Sequence, residues 1–307
     1  MPKPVAPLSL PPLLQRQLEA SAAQMLRPPG VPVIDFAAPR GEPALVPPDS
    51  ISWRVFRNPV ALFVGGVTAV LLELAEPRVR TGVWEHTSFR TAPGERLQRT
   101  GLAAMVTVYG ARSVAERMIA GVTRLHGQVQ GCTPSGAAYS ASDPDLLTWV
   151  HATAAFGFVT AYSRYVRPLS RTELDRYYAE GQAAAALYGA DAPPLSAGAM
   201  DALFERVRPA LQPSPIVQEF LSIMTHEPVL PTLARPLQAL LVRAAVDVAP
   251  SWLRERLGLD PRAGLGAIGR AVVPRLGALA DRLLLRGSPS VQACVRLGLP
   301  EDYLLSP

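Results

Sequence analysis

Between Asn58-Pro59 and Pro77 the chain reads VALFVGGVTAVLLELAE, and no other stretch limits the fold as strongly. Asparagine caps a helix N-terminus through its side-chain oxygen, and proline is favoured in the first turn. A downstream proline ends the helix before it. The predicted helix is apolar nearly all round, so none of its faces suits water and it has to sit at the centre of the fold. The apolar run Val60–Leu72 has 13 residues before Glu73, short of the roughly 20 that span a bilayer. It therefore reads as a buried helix. Gly65 and Gly66 fall in its middle, where each costs about 1 kcal/mol relative to alanine. Either a second helix packs closely there, or a flat ligand needs room against the backbone.

The same punctuation recurs along the chain. A short helix is predicted over Leu13–Met25 within an otherwise extended, proline-rich arm that wraps the core or frays. Arg78–Gly94 reads as partly helical, then loop. Gln130–Asp143 is rich in Gly, Ser and Thr and reads as a loop able to close over a site. Asp143-Pro144 opens a further helix, with Asp143 as cap. Ser170 and Glu173 form a capping-box pattern; Tyr177, Tyr178 and Glu180 beyond it read as structural, with the charges outward. Ser196 caps the next segment. Further helices are expected near Ser214–Met224, Leu233–Val248 and Ser251–Leu257, and through the C-terminal third. No strand pattern persists, and no phosphate loop, dinucleotide fingerprint, nucleophile elbow or fixed-period repeat occurs. His226 in THEPVL does not continue as a zinc-protease motif. The expectation is an all-α chain of ten or more helices. Its divisions are an arm over 1–50, a helical core over 51–235 and C-terminal helices over 236–307 packed on that core.

Composition narrows the chemistry. The 307 residues are 49% hydrophobic, enough for a large core. Lys3 is the single lysine, so no internal lysine serves as Schiff base, general base or iron ligand. The net charge of +5 is spread out with no basic run interleaved with aromatics, which argues against nucleic acid and leaves room for weak attraction to an anionic membrane surface. Cys132 and Cys294 form neither a C-x-x-C pair nor a C-x-x-C-H attachment site, so any haem would be held non-covalently. A disulfide between them stays open, but a reducing compartment is the simpler reading. The proline-interrupted N-terminus does not read as a secretory signal, and a cytoplasmic location is expected.

Chemistry concentrates in Arg96–Gly131. Arg96, Arg99 and Thr100 are spaced i, i+3, i+4, so a helix projects two guanidinium groups and a hydroxyl together beside the apolar run Leu102–Tyr109. After Gly110 a second pattern, Val114, Met118, Val122 and Leu125, carries His126 near its end. A helix–turn–helix pair of this kind brings Arg96, Arg99 and Thr100 opposite His126 across an apolar gap. Such a gap suits a flat, apolar, anionic cofactor such as haem. The plain alternative is a core or surface histidine and a solvated arginine face. Glu85-His86 reads as an exposed loop pair or a pocket acid and base. His151, within an apolar helix, reads first as a hydrogen-bonded core residue.

The ordered motifs LLELAEP, GVWEHTSF, RLQRT, VYG, LHGQVQG, YSASDPDLLTWVHAT and RPLSRTELDRYYAEG resemble the oxygenase family that groups the mycophenolate-pathway ER oxygenase with bacterial rubber oxygenase. The resemblance covers roughly Ser52–Pro194. It implies an all-α domain with a globin-like core binding haem b, with His126 as proximal iron ligand and Arg96 and Thr100 as distal residues. Arg99 stands where the family has a distal lysine. An always-charged arginine cannot ligate iron as a neutral amine does, so Arg99 would pair with a propionate or polarise bound oxygen. Glu76-Pro77 stands where the family often has His-Pro. His151 falls in the family's W-V-H motif and would line or brace the haem pocket.

The reading that follows is a haem-dependent oxygenase acting with dioxygen on an apolar, unsaturated or isoprenoid-like small molecule. Without an export signal, a tailoring step on an intracellular metabolite fits better than polymeric rubber. Cleavage, hydroxylation and dehydrogenation all stay open. Rival readings are a non-catalytic haem sensor or carrier, a non-haem metal held by His86, His126, His151 and Glu85, and a helical lipid-binding module.

Overall fold

The computed structural model describes residues 7–230 and 232–305. Helices α1 (Pro12–Met25), α2 (Ile51–Arg57), α3 (Pro59–Glu73), α4 (Pro77–His86), α5 (Pro93–Tyr109) and α6 (Arg112–His126) come first. A two-stranded hairpin, β1 (Gln130–Cys132) and β2 (Ala138–Ser140), interrupts them. Then follow α7 (Pro144–Tyr165), α8 (Arg171–Glu180), α9 (Gln182–Tyr188), α10 (Ala197–Val207), α11 (Pro215–His226), α12 (Arg235–Val248), α13 (Ser251–Arg256), α14 (Ala267–Ala280) and α15 (Pro289–Arg296). The chain is all-α in architecture. The hairpin is the exception to the expected loop: Gly131 pairs with Tyr139, and Gly136 turns the chain at φ +85°. Strands of three residues are too short to show a two-residue period.

The apolar helix α3 is central, as its composition demands. It packs on α7 along most of its length and also touches α2, α11, α12 and α14. Asn58 caps it, its Oδ1 accepting from the Val60 and Ala61 amides at 3.1 Å each. The crossing with α7 is made by glycine on both sides. A Cβ on Gly65 would stand 2.7 Å from the Phe158 Cα, and one on Gly157 would overlap the Gly65 carbonyl oxygen. Close helix packing therefore explains Gly65. Gly66 differs: its nearest outside neighbour is the Phe158 ring edge at 3.8 Å, and it keeps partial exposure.

Several caps form as their patterns predict. Ser170 and Glu173 make the capping box, Asp143 accepts from the Asp145 amide, and Ser196 from the Ala199 amide. Glu180 does not point outward as expected. Its carboxylate accepts from the Ile51 amide at 3.0 Å, the Ser52 amide at 2.9 Å and the Ser52 hydroxyl at 2.8 Å. The unpaired amides that open α2 need an acceptor, and an anion there also meets the positive end of the helix. The N-terminal arm wraps the core. Arg296, nearly sealed off from water, donates to the carbonyls of Phe36, Glu42 and Tyr109 at 2.8–2.9 Å, pinning the arm to α5 and α15. Cys132 and Cys294 are both free thiols. No single helix among the described residues is long and apolar enough to cross a membrane; α2 and α3 pass only together, bent by 96°.

The glycine crossing gives a stability test. Gly157→Ala forces α3 and α7 apart and is expected to cost roughly 1–3 kcal/mol, as overpacked cores do. Gly101→Ala, in a helix with nothing within 4 Å of the added carbon, is expected to gain about 0.5–1 kcal/mol. Urea unfolding midpoints should move in opposite directions; equal midpoints would remove the crossing from its structural role.

Candidate active site

The last turn of α3, the first turns of α5, the end of α6 and the early turns of α7 bring their polar groups to one place. Glu73 closes α3, the one acidic residue in a helix otherwise apolar or neutral. Its Oε1 lies 3.5 Å from the Thr153 hydroxyl on α7, a long contact by hydrogen-bond standards. Thr153 makes its better bond to the Val150 carbonyl, at 2.8 Å. Arg96 faces Glu73 from α5. Burial pushes the Glu73 carboxyl up to about 7, against the pull of the Arg96 guanidinium and of Thr153. Burial likewise lowers the Arg96 pKa; Glu73 opposes that shift and Arg99 adds to it.

The i, i+4 pairing of Arg96 and Thr100 forms as the spacing predicts. The Arg96 Nη1 donates to the Thr100 hydroxyl, and that hydroxyl donates to the Arg96 carbonyl at 2.9 Å. The Arg96 Nε is buried and has no partner in the protein. His126 ends α6, where Val114, Met118 and Val122 make a partly buried stripe that continues into His126. Leu125, which spacing placed in that stripe, is exposed instead. Burial first, and the Arg96 charge second, lower the His126 pKa, so the ring is neutral at pH 7. Its Nδ1 is buried without a partner, as is the Thr123 hydroxyl one turn back.

His151 sits on α7, two residues before Thr153. Burial alone pushes it down to about 4, so it too is neutral. Its ring lies against Gly181, where an added Cβ would come within 3.2 Å of it. Glu73, Arg96, His126 and His151 share a property: each is surrounded by protein closely enough for burial to be the largest cause of its shift, yet each retains some accessible surface. Leu62, Gly66 and Val70, on the same face of α3 as Glu73, are partly accessible too and supply an apolar wall.

The remaining candidates lie elsewhere. Arg99 is half exposed, 4.0 Å from Glu95, and donates to the Pro29 carbonyl at 3.4 Å, so it turns toward the N-terminal arm. His86 bonds to the Tyr139 hydroxyl at 3.1 Å across to the hairpin, and Glu85 is exposed beside it. Glu76, in the place of the family's histidine, is the cap of α4: it accepts from the Val79 amide and from the Arg78 Nε, each at 2.8 Å. Among the described residues no group of three His, Cys, Asp or Glu gathers around a common point. Two surface pockets, one of about 480 Å³ between Pro43–Pro48 and Leu297–Leu299 and one lined by Arg57, Leu283 and Leu304, contain none of the site residues.

Glu73 is the site residue that motif reading passes over. The signal was present: in a helix with no wet face, a carboxylate has no route to bulk water and needs a partner or a function.

A family model for the catalytic domain of ER-bound oxygenase mpaB/B′ and rubber oxygenase matches residues 53–278. The match covers most of the chain, which belongs to this family, and the enzyme is an oxidoreductase of the oxygenase kind. No curated protein and no solved structure matches the chain.

The raised Glu73 pKa predicts a pH dependence of stability. Between about 4.5 and 7 the folded chain holds the Glu73 proton more tightly than the unfolded chain does, so stability falls as pH rises through that window. Glu73→Gln removes this contribution. Unfolding free energies at pH 5 and pH 8 should show the wild type losing on the order of 1–3 kcal/mol more than the variant. Equal losses in the two proteins would mean that Glu73 ionises as it does in water.

Proposed function

We propose that the enzyme is a haem b-dependent oxygenase acting on an apolar, unsaturated or isoprenoid-like small molecule. The observation that carries the reading is that Arg96 bonds to Thr100 and lies within electrostatic reach of both Glu73 and His126, in a chain of an oxygenase family. The residues present fit the cofactor. His126 offers a neutral ring with an unpartnered nitrogen, Arg96 supplies a buried cation with an unpartnered N–H, and Gly66 leaves an apolar wall without a side chain. The bound haem would supply iron chemistry toward dioxygen, which no side chain provides.

The chain's own residues do the rest. His126 would hold the cofactor through a ring nitrogen, its Nδ1 being without a partner in the protein. Arg96 presents N–H donors to negative charge growing on the reacting oxygen, and Thr100 joins it by turning its O–H away from the Arg96 carbonyl, interactions strengthened where water is excluded. The apolar side chains of α3 hold substrate and keep water away. His151, neutral and packed on Gly181, braces the wall. Arg99, turned toward the Pro29 carbonyl of the N-terminal arm, would reach a cofactor carboxylate only by swinging back toward Arg96. A globin-like arrangement of the core about the cofactor, a core spanning 51–235 with 1–50 and 236–307 packed around it, and a cytoplasmic location belong to the same proposal.

Absorption spectroscopy with iron analysis tests it. The purified protein should be red, with iron near one per chain, and His126→Ala should be colourless while still folded. A colourless wild type that no added haem reconstitutes would refute the proposal. Arg96→Ala and Thr100→Ala should keep the colour and lose roughly 10²–10³-fold in oxygen-dependent turnover. Full turnover in either variant would remove that residue from the distal role.

A further inference from the structure

Arg96 is bound on one side only. Its Nη1 serves Thr100, while its Nε is buried with nothing to donate to. Glu73 is close enough to feel its charge, yet among the described residues its side-chain contact is the long one to Thr153. A buried guanidinium with an idle N–H beside a carboxylate that does not take it is an open seat for a second anion. Two anions cannot share one enclosed cation without penalty, so one of them must be neutralised.

We infer that Arg96 and Glu73 form a proton-linked anion site, in which a small monoanion settles on the Arg96 guanidinium as Glu73 takes up one proton. The balance is simple: anion and proton enter together, and the net charge of the cleft does not change. The Glu73 carboxyl, held near neutrality by burial, is suited to this exchange. Among the described residues the charge that acts on Glu73 is Arg96 from α5 and the polar contact is Thr153 from α7; α2, α11, α12 and α14, also packed on α3, bring no charge to it there. Arg96 in turn is faced by Glu73, by Arg99 on its own helix and by His126 from α6. In turnover, negative charge growing on oxygen would be met in the same way; that extension rests on the proposed function, whereas binding of the anion itself does not.

Formate is a suitable probe, titrated calorimetrically into the purified protein from pH 6 to 8.5 in buffers of different protonation enthalpy. The wild type should take up close to one proton per formate at pH 8 and less below pH 7. Its affinity should fall about tenfold per pH unit above 7, as a one-proton linkage requires. Glu73→Gln should bind formate with no proton uptake and no pH dependence over this range. Arg96→Gln, checked for folding by circular dichroism, should lose formate binding. Wild-type proton uptake in Glu73→Gln, or undiminished binding in a folded Arg96→Gln, would overturn the inference, as would formate held at iron with an uptake indifferent to Glu73. If Arg96→Gln fails to fold, the Glu73→Gln titration decides alone. A colourless protein that no added haem reconstitutes and that still shows the linkage would refute the proposed function and leave the anion site standing.

Discussion

The close crossing of α3 and α7 governs the rest of the structure. Glycine on both helices lets the two backbones touch, with the Gly65 carbonyl filling the space where a Gly157 side chain would be. Because α3 has no wet face, every neighbour must come to it, and α2, α11, α12 and α14 do. The crossing also sets the chemistry. It carries Thr153 alongside the last turn of α3, so Glu73 emerges into an enclosed space with one weak polar contact. A carboxyl left there holds its proton up to about pH 7. In an enclosed, low-dielectric setting the facing guanidinium then matters more than it would at the surface.

The site is accordingly under-satisfied. The Arg96 Nε, the His126 Nδ1 and the Thr123 hydroxyl are all buried without partners. Each such group costs on the order of 1–3 kcal/mol, and native structures hold few of them. Arg96 and His126 lie within electrostatic reach of each other and Thr123 is one turn before His126, while Arg57, Trp149, Arg254 and Arg296 also bury one unpartnered nitrogen each. Burial also favours the neutral form of the His126 and His151 imidazoles, which is the protonation state that a metal ligand needs.

Much of this was legible beforehand. Asn58-Pro59, Asp143-Pro144 and Ser170–Glu173 announce helix starts through local chemistry, and they form as written. The i, i+4 pairing of Arg96 with Thr100 is a property of one helix and is equally local. What depends on neighbours distant in sequence was not legible. Arg99 shares its turn with Arg96, yet the N-terminal arm draws it outward through the Pro29 carbonyl. Glu180 turns inward because α2, more than a hundred residues earlier, presents unpaired amides. Glu73 looked like the end of an apolar run; its meaning depends on α5 and α7 closing around it. The hairpin at Gln130–Ser140 is too brief to carry a period.

The central proposal is that His126 and the Arg96–Thr100 pair, with Glu73 beside Arg96, hold one iron cofactor. An anomalous diffraction map collected at the iron edge from crystals of the purified protein tests it most directly. The account predicts a single iron peak at bonding distance from a His126 ring nitrogen. Iron bound elsewhere in the chain, or a His126 ring facing bulk solvent with no metal beside it, would contradict it.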